Sequence, residues 1–92
     1  VKIDEYETNV EPLIHLNDKN QLTVSYINDE KDFGYLKIYD SNADVVFDNQ
    51  LGNSLNLHNR YDLSNLPNGR YEVVFTAGDV TLSKYVDLKT KN

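Results

Sequence analysis

Residues Tyr61–Phe75 read YDLSNLPNGRYEVVF. An apolar bend at Leu63 and Leu66 leads into Leu66-Pro67-Asn68-Gly69, and an alternating segment starts at Tyr71. Pro67 presets the backbone angle that a turn needs at this point, and Asn68-Gly69 supplies residues that tolerate positive φ. Beyond the turn, Tyr71, Val73 and Phe75 alternate with Glu72, Val74 and Thr76, the period of a strand with one buried face. A bend, a turn and such a strand mark the corner where a β-sandwich chain passes from one sheet to the other.

Downstream, Gly78-Asp79 separates two alternating runs, with glycine at the first central position of a two-residue hairpin. That loop length sets the register: Ala77 faces Val80, Phe75 faces Leu82, Tyr71 faces Val86, and all of them share one side. Lys84 falls inward opposite Val73. An inward charge guards an edge strand against aggregation, and a β-bulge is the other explanation of its place.

Upstream, Gln21–Asn28 alternates cleanly, with Leu22, Val24 and Tyr26 on one face. Leu13-Ile14-His15-Leu16 reads as a short strand before it, joined by the turn cluster Asn17-Asp18-Lys19-Asn20. Asp29–Phe33 is a charged loop ending at Gly34, and Tyr35–Asp40 is the next strand, with Leu36 and Ile38 inward. Ser41–Asp44 turns the chain, Val45-Val46-Phe47 starts another strand, Asn49–Asn53 is loop, and Ser54–Asn59 alternates Leu55 and Leu57 as a further strand. Val1–Glu11 reads as either a tail or a loosely held first strand. Six or seven short strands without helical periodicity predict one all-β domain over residues 1–92: an immunoglobulin-like antiparallel β-sandwich of about seven strands with Greek-key topology. In that fold Tyr71 fits the tyrosine corner, whose hydroxyl bonds to backbone just upstream. Tyr71, Leu63, Leu66, Pro67 and Gly69 are therefore structural.

Composition excludes several functions. With 15 Asp and Glu against 9 Lys and Arg, the net charge of −6 opposes binding to nucleic acid or an anionic membrane surface. Cysteine is absent, so there is no disulfide framework, thiolate nucleophile or cysteine zinc site. No apolar run has the length of a membrane span. The first residue is Val rather than Met, which suggests a mature or trimmed chain.

The pattern D-L-x-x-L-P-x-G-x-Y over Asp62–Tyr71, together with Leu36–Val46 (LKIYDSNADVV), resembles the small immunoglobulin-like modules of Bacteroidetes secreted proteins. Two branches share it: the C-terminal sorting domain of the type IX secretion system, and small stand-alone secreted proteins with the same sandwich. The resemblance covers residues 34–88 and implies a secreted, periplasmic or cell-surface protein. Sorting domains often end on a basic, apolar tail, and the more polar Tyr85–Asn92 favours the other branch. The expectation is thus a non-catalytic module of structural or binding type, with two alternatives: a C-terminal sorting or anchoring module of a larger protein, or a carbohydrate- or protein-binding module using exposed tyrosines.

The candidate binding residues are Tyr35, Tyr39, Val74 and Tyr85. If Leu36, Ile38, Tyr71 and Val73 point inward, parity sends these four outward, and tyrosines offer rigid contact area with a polar tip. The competing reading is ordinary cross-strand pairing, solvated by Lys37 and Glu72. Asp40-Ser41-Asn42-Ala43-Asp44 has the alternating oxygens of a calcium loop but lacks its glycine and bidentate glutamate, so an Asx-rich hairpin turn is expected instead. His15 and His58 stand apart from any catalytic motif, and no GxSxG, HExxH or phosphate loop occurs. No enzyme activity, cofactor or metal is expected. The expected partner is an unidentified protein or glycan, and the expected state a monomer.

Overall fold

The computed structural model describes residues 12–89. The tail or first strand expected within Val1–Glu11 lies outside the described residues. The described residues form an antiparallel β-sandwich of seven strands: β1 (Leu13–Leu16), β2 (Gln21–Ile27), β3 (Gly34–Tyr39), β4 (Val45–Gly52), β5 (Asn56–Asp62), β6 (Gly69–Ala77) and β7 (Val80–Leu88). One sheet has the order β1-β2-β5 and the other β4-β3-β6-β7. The chain therefore changes sheet between β2 and β3, between β4 and β5, and again between β5 and β6, which is the Greek-key arrangement. The last of these crossings is Leu63–Asn68, within the signature stretch Tyr61–Phe75.

Alternation explains the core. Leu22 and Val24 of β2 and Leu57 of β5 face Leu36 and Ile38 of β3, Val73 and Phe75 of β6, and Val86 and Leu88 of β7, all buried. Each such side chain contributes roughly 1.5–3 kcal/mol by leaving water. The Tyr26 ring packs on Phe75 with centroids 5.5 Å apart, tying the two sheets together. The β6–β7 register is the one that the hairpin loop sets, with Tyr71 opposite Val86, Phe75 opposite Leu82 and Ala77 opposite Val80. Gly78 has φ +59°, as the first central position of that turn requires.

Lys84 pairs with Val73 in an unbroken register, so no bulge accounts for its inward position. Instead its Nζ reaches the other sheet and donates to the Ile14 carbonyl of β1 at 2.8 Å. An ammonium thus closes the gap between the two edge strands, β1 and β7.

Several boundaries differ from the sequence expectation. The hydrogen-bonded turn is not Leu66–Gly69 but Leu63–Leu66, where the Leu66 N–H donates to the Leu63 carbonyl at 3.1 Å. The Asp62 carboxylate accepts the Ser64 N–H at 3.0 Å and starts the turn early, as Asx residues do. β6 then begins at Gly69, with φ +151°, rather than at Tyr71. The Tyr71 hydroxyl donates to the Pro67 carbonyl at 2.7 Å, a bond worth about 1 kcal/mol. Burial, and then the nearby Asp40 carboxylate, raise the pKa of that phenol above its usual value.

The segment expected as loop at Asn49–Asn53 is strand as far as Gly52, because β3 supplies it with backbone partners whatever its propensity. The next strand runs Asn56–Asp62 rather than Ser54–Asn59. Leu55 is left exposed in the connection, its carbonyl taken by the Asn28 N–H at 2.6 Å.

Two hairpins share one device. Asn17 accepts the N–H groups of Lys19 and Gln21 through its side chain, and Asp40 accepts those of Asn42 and Asp44 in the same way. Each turn then needs a left-handed residue at its fourth position: Asn20 at φ 61° in one, Ala43 at φ 67° in the other. Asparagine tolerates that region, whereas alanine is strained there by roughly 1–2 kcal/mol. Ala43→Gly is therefore expected to raise stability by about 0.5–1 kcal/mol after glycine's own entropy cost. Urea denaturation reads this as a higher midpoint at unchanged slope; an unchanged or lower midpoint would count against the turn assignment.

Candidate functional site

The outer face of the four-stranded sheet is built by parity and by register. On β3 the outward residues are Tyr35, Lys37 and Tyr39, and on β6 they are Arg70, Glu72, Val74 and Thr76. Pairing sets them in rows: Gln50–Tyr35–Thr76–Thr81, then Asp48–Lys37–Val74–Ser83, then Val45–Tyr39–Glu72–Tyr85. Tyr35, Tyr39, Val74 and Tyr85 thus all lie on this face, but not as one patch. Tyr35 stands two rows from Tyr39, and its hydroxyl accepts a bond from Gln50 Nε2 at 3.2 Å. Val74 sits between Lys37 and Ser83 in the middle row. Among the described residues, the ring pairs are Tyr26–Phe75 and Phe47–Tyr61, neither of which involves these tyrosines.

The third row borders a shallow groove of about 400 Å³. Tyr39 and Tyr85 form its sides, Glu72 lies between them, and the Asp40–Ala43 turn and Arg70 complete it. Arg70 Nε donates to Asp87 at 3.1 Å, and its guanidinium carbon stands 5.9 Å from the Tyr85 ring centroid. That hydrogen bond holds the Asp87 carboxyl below its ordinary pKa and raises that of Arg70. The turn that resembles the start of a calcium loop is a closed hairpin: Asp40 Oδ1 is committed to two backbone N–H groups. His15 and His58 lie on the outside of the other sheet in different rows, opposite Thr23 and Ser25.

Sequence reasoning missed two residues that tie parts of the sandwich together. Asn28, placed at the end of a strand before a charged loop, is 1% exposed. Its Nδ2 donates to the Asp32 carbonyl at 2.7 Å and the Ser54 carbonyl at 3.0 Å, and its Oδ1 accepts the Asp32 N–H at 3.2 Å. It thereby joins the β2–β3 and β4–β5 connections. A polar residue beside a charged run reads as solvated, and only the position of the second loop reveals its burial. Asn49 is the other: it faces inward from β4 and donates to the Tyr61 hydroxyl at 2.9 Å.

Residues 18–88 match the family model of the secretion system C-terminal sorting domain. The chain belongs to that family. A search of curated proteins found no match. The match begins in the β1–β2 turn and runs to the end of β7, so the polar end of the chain does not set it apart from the sorting domains. β1 lies outside the matched span, yet it completes the smaller sheet through Ile14, which is buried. A sorting domain implies a protein that is exported or displayed at the cell surface.

Proposed function

We propose that the chain is the non-catalytic C-terminal sorting module of a larger protein exported through a type IX secretion system in a Bacteroidetes bacterium. The observation that carries this reading is the family match over residues 18–88, which takes in six of the seven strands. The fold suits the role. A sandwich whose signature residues serve its own corner presents a folded shape to be read by transport machinery. We read the Tyr71–Pro67 bond as a tyrosine corner: it fixes the crossing from β5 to β6 without the disulfide that pins the sheets of antibody domains. The test is transfer. A reporter with a signal peptide and this chain at its C-terminus should leave a secretion-competent cell, while the reporter without the chain should stop in the periplasm.

A further inference from the structure

We infer that the groove between Tyr39 and Tyr85 receives a lysine or arginine side chain from a basic peptide segment, held between the two phenol rings and against the Glu72 carboxylate. Independently of the sorting reading, the register puts Tyr39, Glu72 and Tyr85 side by side on three adjacent strands. Neighbouring strands lie ~5 Å apart, so the two tyrosines flank Glu72 at a separation of about 10 Å. An aromatic side on each hand and a carboxylate between them is the arrangement that recognises an organic cation.

Charge decides what enters. Among the described residues, Arg70 is the only cation lining the groove, and Asp87 already neutralises it. Lys37 is one row away, opposite Val74. Among the described residues, the carboxylates of Glu72 and Asp40 therefore have no cationic partner in the groove. Tyr85, 64% exposed, already has one guanidinium standing off its ring, so the chain itself displays the contact that an incoming cation would make. A neutral sugar would leave the carboxylate charge uncompensated. The net charge of −6 adds long-range attraction for a basic segment.

Titration of the isotope-labelled 92-residue chain with tetralysine, followed by amide NMR, tests this. Shift changes should centre on residues 39–44, 70–72 and 85. Glu72→Gln should weaken binding about fivefold, the value of a good exposed ion pair. Tyr85→Ser should weaken it about two- to fivefold. Salt at about 1 M, which screens charges beyond ~3 Å, should abolish it. Tyr85→Ser removes an exposed ring and supplies the same reading if Glu72→Gln lowers the melting temperature. Shifts spread over the whole acidic surface and unaffected by either variant would overturn the inference. So would shifts at these residues with cellotetraose and none with tetralysine.

Discussion

Phe75→Ala is expected to remove about 3–5 kcal/mol of stability, the largest loss from any single side chain in this fold. Phe75 is fully buried on β6, and its ring meets Tyr26 of β2 across the sandwich. Its Cε1 also fills the space in front of Gly34, where an added Cβ would stand 3.4 Å away. Truncation leaves a cavity walled by both sheets, and two rigid sheets cannot collapse into it. A chain of this size has roughly 5–10 kcal/mol in total, so the variant should unfold at low urea and populate unfolded molecules at 37 °C. Phe75→Leu keeps most of the volume and should cost less than about 1.5 kcal/mol. A loss below about 1 kcal/mol for Phe75→Ala would mean that the ring does not bridge the sheets.

Asn28→Ala should cost about 2–4 kcal/mol through a different mechanism. The substitution removes three hydrogen bonds made by one buried amide and strands the carbonyls of Asp32 and Ser54. Those two carbonyls belong to separate connections, so the loss should loosen both at once. Amide exchange at Asp32 and around Ser54 should accelerate in the variant, while exchange in the core of β6 should change only as global stability does. Equal acceleration everywhere, or a stability loss under about 0.5 kcal/mol, would show that the amide is not the tie between these loops.

These two residues differ in how visible they are in the sequence. Phe75 follows from alternation and from the hairpin loop, because a two-residue turn fixes which side chains share a face. The same logic reads β2, β3, β6 and β7 directly. It fails in the second half of β4, where Asn49 and Gln50 have little strand propensity and the partner strand β3 imposes the conformation. Its limit shows again at Asp62, where a side chain captures a backbone N–H and moves the turn three residues upstream, from Leu66–Gly69 to Leu63–Leu66. Asn28 is invisible for a stronger reason. Its burial depends on a loop 26 residues away in the chain.

The outer face was partly legible. Parity alone sends Tyr35, Tyr39, Val74 and Tyr85 outward, but parity does not say which of them are neighbours. The register separates Tyr35 from the other two tyrosines and places Glu72 between Tyr39 and Tyr85. The groove is therefore a property of pairing across three strands, which periodicity along one strand does not reach. Likewise, the inward parity of Lys84 is plain from the hairpin, whereas its bond to Ile14 requires the two sheets to be stacked.

The most direct measurement of the proposed role is the fraction of reporter that reaches the medium or cell surface when this chain is fused behind a signal peptide and a folded reporter. The fusion should be exported in a cell with an intact type IX system and should accumulate in the periplasm when that system is deleted. Equal export from both strains, or periplasmic retention of the folded fusion in the competent one, would contradict the sorting function.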